Sequence, residues 1–309
     1  MLPFKLAYHE GYDLRLGEHV FQSQKFGMVR DLVLAERIAE PSDILAPEPA
    51  TDEDILRVHI REWVDKLKHD TLSASERMRL EIPYSEAVVR GFWLAAGGSI
   101  LAARCALKDG FGFNIGGGFH HAFPGHGEGF CVIHDVAVSI RRLQADGALR
   151  KVLIVDTDVH QGNGTAAIFA NDPDVFTVSL HQENNYPEPK PPSDLDVNLA
   201  DGTGDEEYLE LLDKALAEAF RRFAPEMIFY IGGADPYRED QLGGLWLSMR
   251  GLQDRDALVF AEARLRGLPV AVAFAGGYAR KVEDTVRIHV NTIIVAREAA
   301  AARTSKANQ

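Results

Sequence analysis

The chain has 309 residues, is 46% hydrophobic and 26% charged, and carries a formal net charge of −13 from 33 basic and 46 acidic side chains. That composition excludes a disordered or collagen-like chain and suits one large α/β unit, while the negative balance argues against nucleic acid or anionic lipid and for cationic partners. Only Cys105 and Cys131 are present, and Glu10, Asp13 and Glu18 stand where a secretory leader needs an apolar core, so a reducing cytoplasm is expected, and so compact a chain suits a bacterial one.

In chain order, hydrophobic periodicity predicts a strand over 4–8, helices over 25–38, 52–68 and 85–108, and a strand over 111–115. The apolar stretch 91–103 falls short of the roughly 20 residues that cross a bilayer, so no membrane span is expected. From there β-branched runs over 151–159, 175–181, 227–233 and 270–274 alternate with helical segments, the pattern of a mostly parallel sheet. One of those helices, over 205–223, follows Thr203 and Glu206 at the spacing of a capping box. Prolines crowd 186–192 and predict a stiff surface loop. His9, His59, His69 and His289 read as solvated, and His126 and His134 as residues that shape a turn.

The chemistry concentrates where strands are expected to end. Asp158 and His160 are two residues apart, a spacing that presents two ligands to one metal; the other reading is an Asp that caps a helix and a His packed on a loop. Asp235, after the strand that starts at Met227 and the pair Gly232-Gly233, supplies a third ligand, because strand ends of a parallel sheet share one edge. Two carboxylates and one imidazole without a thiolate suit Zn²⁺, with Fe²⁺ as the alternative, and leave positions open for water and substrate. Three glycines before His120 and His121 allow both imidazoles into one pocket, and Gly276-Gly277 free Tyr278 to donate its hydroxyl to an oxyanion there.

The motifs Gly-Gly-Gly-Phe-His120-His121, Gly129-Phe-Cys131, Asp156-Thr-Asp158-Val-His160-Gln-Gly-Asn163-Gly, Gly233-Ala-Asp235 and Gly276-Gly-Tyr278 occur in the order found in zinc-dependent histone deacetylases, and the resemblance covers nearly the whole chain. His19-Val-Phe-Gln-Ser-Gln-Lys25-Phe, Gln161 and Asn163 in place of the class I His and Asp, and Asp240-Gln-Leu-Gly-Gly-Leu245 resemble the class IV, histone deacetylase 11-like branch.

The resemblance implies the arginase/deacetylase fold, an α/β domain with a largely parallel eight-stranded sheet flanked by helices, over 1–300, with a disordered tail over 301–309. It implies that Asp158, His160 and Asp235 bind the metal, that His121 is general base and acid with His120 as its electrostatic partner, and that Tyr278 holds the oxyanion. Asp156 would orient His120 and Asn163 would orient His121; Asp156 with Ser179 would help bind a structural K⁺. Gly129, Phe130, Leu242 and Tyr186 would line the channel for the acyl-lysine stem. A neutral Asn163 fixes the tautomer of His121 without giving its imidazolium a countercharge, so Asn163→Asp is expected to raise the acidic limb of the pH–rate profile. The implied reaction is hydrolysis of an acetyl or long-chain fatty acyl group from the lysine ε-amine of a protein or peptide. Small acylated amines such as acetylpolyamines are the alternative substrates, and a catalytically silent acyl-lysine-binding module is the alternative of another kind. Arginase-type chemistry would need two metals and more ligands than these motifs supply.

Overall fold

A computed structural model describes residues 1–307. Eight strands, β1 Lys5–Ala7, β2 Ile44–Leu45, β3 Phe111–Asn114, β4 Val152–Asp156, β5 Val175–Gln182, β6 Leu195–Leu199, β7 Met227–Gly232 and β8 Val270–Phe274, form one sheet. Its order is β2-β1-β3-β8-β7-β4-β5-β6, and every neighbouring pair is parallel. The inner strands are buried along their whole length, as a sheet covered on both faces requires. The edges are blunted, by the two-residue β2 on one side and by β6, with Asp196 and Asn198, on the other.

The helices are α1 Lys25–Ala35, α2 Asp52–Ile55, α3 Arg61–His69, α4 Ala74–Leu80, α5 Glu86–Asp109, α6 Asp135–Ala145, α7 Asn163–Phe169, α8 Asp205–Arg222, α9 Met249–Leu265 and α10 Val282–Ala307. Around α5, which lies on β1, β3 and β8, gather α3 and α6; a second group runs α8, α9, α10, α1. The apolar stretch 91–103 is therefore the buried middle of α5, and no helix among the described residues is long and apolar enough to cross a membrane. Residues 301–307 of the expected tail continue α10, and 308–309 lie outside the described residues.

Four local expectations are overturned. The helix predicted over 52–68 is two helices, because the chain between α2 and α3 turns His59 inward. Far from solvated, that imidazole is buried, with Nδ1 3.0 Å from the Phe123 carbonyl and Nε2 accepting the His134 N–H at 2.9 Å; burial holds its pKa near 4. His289 is likewise buried, stacked on Phe274 with ring centroids 4.3 Å apart. At α8 the N-cap is Gly204 and no side chain caps it: the Asp205 carboxylate turns instead to the Ser248 N–H and hydroxyl, at 2.8 and 2.6 Å.

Candidate active site

Four adjacent strands, β3, β8, β7 and β4, end side by side, and the loops leaving them carry the polar residues singled out in the sequence. Asp158 and His160 lie past the end of β4 rather than on it, Asp235 follows β7, His120 and His121 follow β3, and Tyr278 follows β8. One ligand atom each from Asp158, His160 and Asp235 can be chosen so that all lie within 4.8 Å of one another, and all three residues are buried.

Backbone donors hold this set in place. Asp158 Oδ1 accepts the His160 N–H at 3.0 Å, its Oδ2 accepts the Gly276 N–H at 2.8 Å, and Asp235 Oδ1 accepts the Val159 N–H at 2.9 Å. Gly276 is obligatory here, since a Cβ would collide with the carboxylates of both Asp235 and Asp158. Two buried carboxylates call for positive charge. His160 supplies some of it: burial disfavours its imidazolium, but the Asp158 and Asp235 carboxylates beside it hold its pKa up at about 10. Asp235 Oδ2, 3.4 Å from His160 Nδ1, accepts no hydrogen bond among the described residues. An orphaned carboxylate oxygen beside an imidazole nitrogen and a second carboxylate fits a divalent cation.

The two adjacent imidazoles have different partners. His120 Nδ1 lies 2.6 Å from Asp156 Oδ2; burial opposes its protonation, yet Asp156 and Asp158 raise its pKa to about 9. His121 Nδ1 lies 2.8 Å from Asn163 Oδ1, and burial together with the charges of His120 and His160 drives its pKa well below 6.5. The loop that delivers both turns at Gly118, whose φ of 73° is a left-handed value that a side chain would strain. Asp156 and Ser179 sit opposite each other across β4 and β5.

Tyr278 is held by its backbone: its N–H donates to Asp240 Oδ2 at 2.6 Å, and its carbonyl accepts from the Gln241 amide at 2.9 Å. Burial and the nearby Asp158 and Asp235 charges keep its hydroxyl protonated, its pKa well above 10. Gly129, Phe130, Tyr186 and Leu242 line a groove of about 270 Å³ that leads past Glu81 to His121, His160 and Tyr278. Beneath it lies a smaller cavity of about 30 Å³, walled by Phe21, Phe26, Phe119 and Cys131 among others.

The match to a family model follows this geometry: residues 19–293 fit the histone deacetylase domain. The chain belongs to the histone deacetylase family. It is 39% identical over 289 residues to an uncharacterized protein of Picosynechococcus, covering 93% of this chain and 96% of the other. It is 32% identical over 298 residues to histone deacetylase 2 of Arabidopsis thaliana, covering 91% and 77%. The crystal structure of a histone deacetylase homolog from Aquifex aeolicus superposes with a TM-score of 0.79 at 26% identity, covering 96% of this chain and 84% of that one.

Three residues at this histone deacetylase site were given no role from the sequence. Lys25 is fully buried and donates to the Ala275 and Gly277 carbonyls, both at 3.2 Å; burial lowers its pKa to about 8 against the pull of Asp235 and Asp240. Arg255, in α9, donates to the Gly233 carbonyl at 2.6 Å and so braces the loop that carries Asp235. Glu128 bonds to Asn163 and Tyr186.

Proposed function

We propose that this protein is a metal-dependent hydrolase that removes acyl groups from N-ε-acyl-lysine. The reading is carried by one arrangement: three buried metal-competent ligands, of which His160 reaches the groove whose walls also present His121 and Tyr278. A Zn²⁺ ion, or Fe²⁺, held by Asp158, His160 and Asp235 would polarise the acyl carbonyl and acidify water. His121, kept neutral by burial, takes the proton of the attacking water at Nε2 and hands it to the leaving amine. The Tyr278 hydroxyl donates to the oxyanion of the tetrahedral intermediate, and His120, paired with Asp156, adds positive charge beside it. The products are the free amine and a carboxylate. Asp156 and Ser179, neighbours across two strands, are where we place a structural K⁺.

Gln161 and Asn163 support assignment to the class IV branch. The inner cavity of about 30 Å³ has room for little more than a methyl group or a water, so it supports acetyl ahead of long-chain fatty acyl substrates. Glu81 at the mouth and the net charge of −13 favour a substrate with a cationic remainder, which lets small acylated amines compete with lysine peptides. The similarity to the Picosynechococcus protein and the presence of only two cysteines support a bacterial cytoplasm as its location.

The test is turnover of acetyl-, octanoyl- and myristoyl-lysine peptides and of an acetylated polyamine by zinc-loaded protein, beside Tyr278→Phe. Acetyl-lysine should be hydrolysed, and the variant should lose about 10²- to 10³-fold in kcat, the scale of one oxyanion donor. Polyamine turnover alone would move the assignment to small amines, and no turnover of any substrate would overturn it.

A further inference from the structure

The base His121 has no carboxylate in contact through Nδ1, but one lies a single amide further out. Asn163, itself buried, offers Oδ1 to His121 and donates from Nδ2 to Glu128 Oε1 at 2.6 Å. The same Oε1 accepts the Tyr186 hydroxyl at 2.9 Å, while Oε2 lies 3.1 Å from His126 Nε2. Tyr186 in turn meets the His121 ring edge-on, with centroids 4.9 Å apart at 84°.

Glu128 is rigidly carried. Its N–H and carbonyl exchange hydrogen bonds with Cys131 at 3.0 and 2.9 Å, and the intervening Phe130 N–H bonds to the Leu80 carbonyl at 3.0 Å. The contacts have chemical polarity. An ionised carboxylate only accepts, so the Asn163 atom that faces it is the NH₂ and the atom that faces His121 is the oxygen. The Gly164 N–H, 3.0 Å from that oxygen, acts in the same sense. Nδ1 of His121 must then carry the proton, and Nε2 is left with the lone pair that a base needs. The three donors around Glu128 outweigh its burial and hold its pKa below the usual carboxylate value, so it is ionised at neutral pH.

We propose that Glu128 is a positioning residue for deacylation: it locks the Asn163 amide, and through it the tautomer of His121, and with the same oxygen it seats Tyr186 against that imidazole. Base alignment and the channel wall thus share one acceptor atom. The inference rests on the deacylase reading for its kinetic consequences, though not for the tautomer itself.

Imidazole ¹⁵N NMR of metal-free protein and steady-state kinetics of zinc-loaded protein, on wild type, Glu128→Gln, Glu128→Ala and Tyr186→Phe, test it. Wild type and Glu128→Gln, whose amide oxygen still accepts, should show His121 protonated only at Nδ1; Glu128→Ala should show both tautomers. In Glu128→Ala kcat should fall about 10- to 100-fold, the scale seen when a partner of a catalytic imidazole is removed, and KM should rise. Glu128→Gln should recover most of both. Tyr186→Phe should raise KM with little change in kcat, and add nothing to the KM of Glu128→Ala. An unchanged His121 spectrum in folded Glu128→Ala, or fully additive effects with Tyr186→Phe, would overturn the proposal. If wild type hydrolyses no acyl-lysine the deacylase reading fails, while the spectra still decide the role of Glu128.

Discussion

His121 sits in a crowd of imidazoles, and that sets the pH range in which it can accept a proton. Burial first, then the charges of His120 and His160, place its pKa well below 6.5. A base works deprotonated, and the deprotonated form is complete above the folded pKa, so kcat/KM should stay level as pH falls through 6.5 and decline only below it. A pH–rate profile whose acidic limb is centred at or above 6.5 would contradict this assignment. The rise expected from Asn163→Asp alone also needs revision, because it would set a second carboxylate against Glu128, and one of the two would take up a proton. Paired with Glu128→Gln, the same substitution should raise the limb. Asp158, His160, Asp235, His120, His121 and Tyr278 were legible in the sequence because glycine-flanked strand ends gather them into short motifs. Lys25 and Glu128 were not. Their partners lie 250 and 35 residues away in the chain, and nothing local separates a buried charge from a solvated one.

At the scale of elements, α9 acts on the site without entering it. Arg255 is fully buried, paired with Asp256 at 2.9 Å, and reaches the carbonyl of Gly233 just ahead of Asp235. Asp256 is satisfied in turn by the Tyr230 and Thr292 hydroxyls, each at 2.6 Å. Removing one partner of such a pair strands the other charge, so Arg255→Met should cost about 3–5 kcal/mol in urea unfolding. A loss below about 1 kcal/mol would show that the pair does not brace the fold. The inner strands were readable from their β-branched runs, but β2 and β6 were not: one is two residues long, and the other follows directly on the proline-rich loop, although its alternation of Leu195, Val197 and Leu199 with Asp196 and Asn198 is a strand signal. The helix break that buries His59 was hidden for a different reason. Its cause is a carbonyl at Phe123 and an N–H at His134, both far along the chain.

At the scale of the whole molecule, Asp158 and Asp235 are two buried carboxylates that share one site, and a cation bound there should stabilise the fold by linkage. At a free metal concentration 100 times Kd the gain is about 2.7 kcal/mol, which for a chain of this size raises Tm by roughly 5 °C. Scanning calorimetry with chelator, and again after zinc is restored, measures it; equal Tm values would mean that the three ligands do not form a strong site. The parallel sheet has a further consequence, for folding order. β4 and β7 are hydrogen-bonded neighbours, but α7, β5, β6 and α8 intervene between them along the chain. Such non-local pairing forms late. Asp158 and His160 therefore wait, without their third ligand, until β7 docks and brings Asp235. Tight metal capture thus marks the moment at which the two halves of the sheet close, and a chain arrested before then would release its ion to any competing chelator.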